Sequence, residues 1–519
     1  MKLRHLLFGL LAGVAFVACT NDDDPAGVTP VNGGDEVAVT RSYISVNFVM
    51  PGGANTRAGE TFEAGSTDEN KVSNGVLFFF DGTTQVADPF DLGADGQDWE
   101  AEDEGTDVNI EKKSPIIVVL ENPVKKPESV VAILNLGDKA ALAKLEKPIT
   151  RSTSLDELKA IVADYATGKQ SEGTFVMSSS AYDGAEENVA AKIDKTYETY
   201  EAAKGGPAIE VPVERVLAKV KVTAEESYDT GSTMKQGDTE VAIKAQITGW
   251  WLDNVASQSL LLKNIDFEDP GFTWNDADNL RSYWANPNTG DLNHAKYTTA
   301  TAEDKYVQEN VDAENPTQLV VAATLTDAQG NTLELVKFKG GLYTKAGFET
   351  EVVAILASTF YTKTTVNGET KYASVTEDDV EISYDKVAST AENNNQYKAA
   401  VTIAYTGTAD LVKKTGPGTY STPIEDFDAD NSYEVQLWED GQTYYFVPIK
   451  HNGDITGVIR NHVYKLTVKS VTGLGTPVPF TDEEIIPTIP VDEPETYISA
   501  QIEILAWKIV EEDVNLGAE

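Results

Sequence analysis

Near its end the chain reads YISAQIEILAWKIV, from Tyr497 to Val510. Ile498, Ala500, Ile502, Ile504 and Ala506 are apolar on one parity, with Ser499, Gln501 and Glu503 between them. This period of two predicts a β-strand with one buried face. From Ile504 onward only Lys508 is charged, so Leu505, Trp507 and Ile509 extend the apolar character to both faces. A proline-spaced, acidic tether precedes the strand, with Pro487, Pro490 and Pro494, and only Glu511 to Glu519 follow it. Such a strand either folds back to complete its own domain or leaves to complete a neighbour by strand addition.

A second stretch bears on that choice. Tyr43 to Met50 reads YISVNFVM, with Ile44, Val46, Phe48 and Met50 on one parity. Set against Tyr497 to Ile504, its first three residues are identical and its apolar positions match one for one. The two segments could fill the same groove, or both could be ordinary half-buried strands that share YIS by chance. The pattern leaves both readings open.

The bulk composition narrows the class. The chain has 519 residues, enough for two to three domains with real cores. Its net charge of −43 argues against nucleic acid and anionic membrane surfaces, which would repel it. The only cysteine is Cys19, so intramolecular disulfides are excluded and the lone thiol needs another role.

Lys2, Arg4 and His5 precede an apolar run from Leu6 to Val17, which reads as a secretory signal peptide. The run ends FVAC, Phe16 to Cys19, and resembles the bacterial lipobox, whose cysteine becomes the lipidated first residue. The alternative is an ordinary signal peptide cut near Ala18, with Cys19 incidental. Asp22–Asp24 and the Gly/Pro/Thr-rich segment to Asp35 read as a solvated tether. After the strand at 43–50, Asn55-Thr56-Arg57-Ala58-Gly59 reads as an exposed loop of the kind proteases cut.

From Val72 to about Val213, strands alternate with helical patches. Val76–Phe80, Ile116–Leu120, Val130–Leu134 and Thr174–Ser178 have strand composition. Leu155 to Tyr165 carries Leu155, Leu158, Ile161 and Val162 at helical spacing after a Ser154 N-cap, and Ala185 to Ala203 reads as a surface helix. Beyond the Gly205-Gly206-Pro207 break, VPVERVLAKVKV (Val211–Val222) resumes alternation, and it could close the first domain or open the second. From there to Phe480 the pattern is nearly all β: Val241–Trp251, Leu319–Leu325, Leu333–Lys339, Val380–Tyr384, Lys398–Tyr405, Tyr433–Trp438, Thr443–Ile449 and His462–Val471. Turn signals such as Asn367-Gly368 separate these strands, and the spacing predicts β-sandwiches.

Chemistry is hard to find. His5, His294, His451 and His462 are far apart in sequence, and no HExxH, CxxC, Walker A, GxGxxG or GxSxG motif occurs. Asp22–Asp24 and Asp428–Asp430 lack EF-hand spacing and read as solvated loops. Trp250-Trp251 and Tyr444-Tyr445 could stack on glycans, but in a strand one member of each pair faces the core. An enzyme is the least favoured class.

With these residues in view, the chain resembles the fimbrillins of Bacteroidales, the stalk subunits of type V pili, and among them the major subunit of the short, Mfa-type fimbriae. The resemblance rests on the lipobox at Cys19, on SVNFVMPGGANTRA (Ser45–Ala58), on Val211–Val222, and on RNHVYKLTVKSVTGLGTP (Arg460–Pro477) with the tether and final strand. Between Asp253 and Ala399 little is similar. The resemblance implies a mainly β fold of two sandwich-like, transthyretin-like domains, with a few helices in the first and an extended C-terminal donor strand. The organisation expected is a signal peptide over 1–18, a propeptide with tether and first strand over 19–57, domains over 58–213 and 214–480, and a tether and donor strand over 481–519.

The resemblance further implies export, lipidation at Cys19, and outer-membrane anchoring of the precursor. An arginine-specific protease would cut between Arg57 and Ala58 and remove the first strand with Ile44, Val46, Phe48 and Met50. The vacated groove would accept another subunit's donor strand with Ile498, Ala500, Ile502, Ile504, Leu505, Trp507 and Ile509. The partners implied are identical or related subunits, the protease, and anchor and tip subunits, with no cofactor beyond the precursor's lipid. Rival readings are a monomeric outer-membrane lipoprotein that captures glycans, and an anchor or tip subunit.

Overall fold

The apolar runs become strands throughout the computed structural model, which describes residues 41–49, 66–92, 115–121, 123–166, 175–180, 189–236, 239–263, 290–293, 295–296, 303–310, 312, 314–387, 397–427, 433–452, 455–480, 484–485, 497–505 and 511–513. The fold is mainly β, as the alternation predicts.

The first sheet gathers β1 (Arg41–Val49), β2 (Gly75–Asp81), β3 (Pro115–Glu121), β4 (Ser129–Leu134), β5 (Met177–Ser179) and β6 (Ile209–Arg215). Its order is β2-β4-β5-β6-β1-β3, with two-residue strands added around β2 and β4. Every residue from Gly75 to Phe80 is buried, as is all of β4, which explains their unbroken apolar composition. These strands and the short helix α1 (Leu155–Lys159) enclose one core that also takes in Leu261 and Leu262. Ser154 caps α1 in a reciprocal box with Glu157, and Leu155 and Leu158 are buried. The helix ends early, because Val162–Ala163 pairs as a strand with Ser259–Leu260.

The expected surface helix over 185–203 is not formed. Within the described part, Ala191–Lys192 pairs with β4, and Val189, Ala190, Ala191 and Ile193 are buried. Burial of that apolar cluster overrides the helical propensity of its alanines. Among the described residues there, only α2 (Tyr200–Gly205) is helical, capped by Thr199.

Two further sheets face each other across a second core. One is ordered β9-β7-β13-β14-(511–513), where β7 is Ala218–Thr223, β9 is Lys305–Val307, β13 is Val463–Thr472 and β14 is Tyr497–Leu505. The other is ordered Ser227–Gln236, then β8 (Thr239–Asp253), β10 (Gln318–Thr326), β12 (Gln442–Pro448) and Thr476–Pro477. Ala218, Val220, Tyr464 and Leu466 from the first meet Ile243, Trp250, Leu319, Val321 and Tyr445 from the second. Val211–Val222 is therefore two strands, β6 and β7, that serve different cores.

The chain between β10 and β12 builds a third core of its own. A helix, α3 (Lys345–Ala357), packs Phe348, Val352 and Leu356 against Val336, Phe360, Val401, Leu411 and β11 (Tyr433–Trp438). Its spacing of four repeats one apolar face along a helix, but an all-β reading of this region misses it. Asn367 and Gly368 take φ of 54° and 83°, the left-handed pair a two-residue hairpin turn needs.

Candidate strand-exchange site

The first strand is an interior strand. β1 runs parallel to β6, with Val46 opposite Ile209 and Phe48 opposite Val211. It runs antiparallel to β3, with Ile44 opposite Val118 and Val46 opposite Ile116. Directly opposed residues share a face of the sheet. Ile44 therefore lies on the side of Val118 and belongs to the first core, where it is fully buried.

The other face is covered as well. Ser45 is opposite Ile117 and is only 3% exposed. Ile117 and Val119 pack against a small cluster of Tyr197, Tyr200 and Ala203, on and just before α2. Tyr197 donates its hydroxyl hydrogen to the Pro207 carbonyl at 3.0 Å, and two residues later the chain enters β6. The cover over β1 is thus tied to the strand beside it.

The last long strand sits one place in from a sheet edge. β14 pairs antiparallel with β13, from Tyr497 opposite Thr472 to Leu505 opposite Val463, and on its other side, among the described residues, with Glu511–Asp513. Ile498, Ala500, Ile502, Ile504 and Leu505 all lie in this ladder. Trp507 and Ile509, like Cys19, Met50, Arg57 and Ala58, lie outside the described residues.

Between the first two cores runs a buried ionic junction that sequence reasoning missed. Just beyond the candidate cleavage loop, Ser66 caps a helical turn, Thr67–Asn70, in a reciprocal box with Glu69. The Glu69 carboxylate accepts from Lys219 Nζ at 2.7 Å, from the Tyr306 hydroxyl at 2.5 Å and from the Ser66 amide at 2.6 Å. Its carbonyl accepts from Arg215 Nε at 2.9 Å. Burial pushes the Glu69 carboxyl up, but the hydrogen bonds from Lys219, Tyr306 and Ser66 and the Lys219 charge outweigh it and hold the pKa at about 2. Burial and the Glu69 charge push the Tyr306 phenol well up.

Nearby, Arg460 is 1% exposed and meets Glu309 at 2.5 Å, while donating to the Leu260 and Leu261 carbonyls at 2.6 and 3.1 Å. Burial lowers its pKa, and Glu309, with Glu214 and Tyr165 beyond it, more than restores it. Lys263 and Glu214, both 3% exposed in their side chains, stand 3.7 Å apart in the same region. The polar positions of Val211–Val222 look like a solvent face because their partners, such as Glu69, are distant in sequence.

The remaining sequence candidates join the core. Trp250, Trp251, Tyr444 and Tyr445 are all buried, on both faces of one sheet, so neither pair offers a stacking surface. His451 and His462 come together, with ring centroids 4.9 Å apart, and His451 Nδ1 lies 2.9 Å from the Tyr464 hydroxyl. Among the described residues no group of three His, Cys, Asp or Glu is placed to hold a metal.

Comparison with known proteins gives a partial match. Residues 436–513 match the family described as major fimbrial subunit protein type IV, fimbrillin, C-terminal. That segment contains β12, β13 and β14, so the resemblance to fimbrillins is borne out over the last two strands of the second core and the terminal strand. No curated protein matches the chain. Among solved structures, the chain is similar to a candidate cell adhesion protein from Parabacteroides distasonis at 12% identity, covering 89% of this chain and 96% of that one, with a TM-score of 0.37. It is similar to another from Bacteroides eggerthii at 10% identity, with 92% and 98% coverage and a TM-score of 0.36. A third is the tip fimbrial protein Mfa3 from Porphyromonas gingivalis with a C-terminal truncation, at 10% identity, 89% and 99% coverage and a TM-score of 0.26.

Proposed function

We propose that this chain, whose C-terminal part is that of a fimbrillin, is a stalk subunit that polymerises by strand exchange at the cell surface. The observation that carries the exchange is the place of β1, between β6 and β3 with both faces covered. Removing such a strand leaves two unpaired rims and an apolar floor, a ready acceptor for a strand from elsewhere. The donor is the terminal strand of another subunit, whose apolar parity matches that of β1.

In this reading the precursor is exported and lipidated at Cys19, and an arginine-specific protease cuts between Arg57 and Ala58. The strand 43–50 then leaves the groove, and residues 497–510 of a second subunit enter it. The pairing of β14 with its own β13 is the resting position of the donor. The two sites offer ladders of similar length: nine positions on β13 and three on Glu511–Asp513, against seven on β3 and four on β6. Hydrogen bonding alone therefore favours neither. In the groove, cover on both faces buries two consecutive residues, Ile44 and Ser45, at once. Once seated, a donor leaves slowly, because both ladders must open together.

A second reading takes the self-pairing of β14 at face value: the strand completes its own domain, and the protein stays a lipid-anchored monomer. The two readings separate on the mature N-terminus. Intact mass and N-terminal sequencing of protein sheared from cells should give Ala58 in high-molecular-weight ladders, and Arg57→Ala should be exported without polymerising. A lipidated Cys19 start found only as monomer would overturn the stalk reading. So would a start at Ser42, since a cut after Arg41 leaves β1 in place.

A further inference from the structure

The Ile and Ser of the shared YIS stand, in the first strand, at two buried positions of the groove. At Ile44 and Ser45 consecutive side chains are buried on opposite faces, one in the main core and one on the α2 side. The α2 side is held firmly. Thr199 accepts from the Ala202 amide at 3.2 Å, and a Cβ on Gly206 would overlap the Tyr197 hydroxyl. Tyr197 thus packs directly on the backbone that leads into β6.

Resting on the strand-exchange reading, we propose that Ser499 is the register key of the donor strand. Ile498 takes the place of Ile44 in the core, and Ser499 takes the place of Ser45 beneath α2. Alternation alone rejects any slip by one residue, because that turns the apolar face outward. It does not reject a slip by two, which keeps the parity. The cover does. A slip in one direction puts Gln501 under α2, and a slip in the other puts Tyr497 there. A small residue fits at only one of the parity-preserving positions. In this seating the donor runs parallel to β6, with Ala500 opposite Ile209 and Ile502 opposite Val211.

The test uses the full chain, cleaved after Arg57, with Ser499 replaced by Ala, Leu or Trp. A chain truncated after Thr496 serves as the control, and polymer yield is read from ladders and light scattering. Yield should fall in order of side-chain size, at least tenfold from Ser499→Ala to Ser499→Trp, and Tyr200→Ala in the Ser499→Trp chain should restore part of it. If yield does not follow size while the truncated chain fails to polymerise, donation stands and the key is wrong. If the truncated chain polymerises, the strand-exchange reading fails and the key with it. Circular dichroism checks that each monomer is folded. Should Ser499→Trp misfold, synthetic peptides spanning 495–513 with Ser, Leu or Trp at 499 are offered to the cleaved, truncated subunit, and equal affinities overturn the proposal.

Discussion

Replacing Ile44 by alanine should weaken the precursor and favour the fibre. Ile44 is wholly buried, opposite Val118, in the core of the first sheet. Truncating such a side chain loses transfer energy and leaves a cavity, together about 2–5 kcal/mol. On the strand-exchange reading that loss falls on the precursor and on the cut subunit that still holds β1. It does not fall on the fibre, where β1 has gone. Displacement of β1 by a donor then gains the same free energy, roughly 30-fold to several thousand-fold in its equilibrium constant. Urea unfolding of the uncleaved Ile44→Ala chain should show a lower midpoint than wild type. After cleavage at Arg57, a fluorescent peptide spanning 495–513 should be taken up correspondingly better. Fibres of the two proteins should dissociate at the same urea concentration. Earlier dissociation of the Ile44→Ala fibres would mean that β1 remains in the polymer, and the reasoning would be refuted.

Changing Ile502 or Ile504 to Asp should leave a folded, soluble monomer and abolish fibres; if the monomer unfolds by circular dichroism, the last strand belongs to its own domain. Glu69 should make stability depend on acid. Its carboxyl lies at about 2 in the folded protein against an ordinary 4.5, so the stabilisation is present above 4.5 and is lost as pH falls towards 2. Allowing for solvent screening, the loss is on the order of 2 kcal/mol, and Glu69→Gln should flatten the pH dependence of the urea midpoint over that range. Arg460→Ala should cost about 3–5 kcal/mol, because it strands Glu309 as a buried, unpaired charge. The double change Arg460→Met with Glu309→Leu should recover most of that in the same denaturation assay.

Much of the fold is legible in the sequence where one face or both faces of a strand are buried. Val130–Leu134 falls within a residue of β4, and Leu319–Leu325 within a residue of β10 at each end. Tyr433–Trp438 coincides with β11. Period-two alternation and continuous apolar runs report burial directly, so these strands follow from it. What failed depended on partners far along the chain. The alanine-rich stretch before Ala203 has helical propensity, yet its described part is mostly drawn into the first core by β4. α3 carries Phe348, Val352 and Leu356 at helical spacing, a signal masked by the strands around it. The charges of Glu214, Arg215 and Lys219 sit at alternating or adjacent positions that look solvated. Only the fold reveals Glu69, Lys263 and Asn461 beside them. Of the candidate site, the matching parity of the two YIS strands was readable, whereas the α2 cover over Ser45 was not.

The third core also bears on how the chain reaches its native state. β10 and β12 are neighbours in one sheet, but the whole of that core is threaded between them. Pairing them from an unfolded chain means closing a loop of more than a hundred residues. Were the excursion to form first, Leu335 would stand opposite Trp438. The two waiting strands would then be brought within a few residues of each other. Loop closure costs about 0.6 kcal/mol per doubling of length, so this pre-assembly would remove roughly 2 kcal/mol from the barrier. In that order of events the surrounding sandwich would zip from the anchored end, and the parallel pairing of Val220 with Tyr464 would be the long-range step that closes the second core.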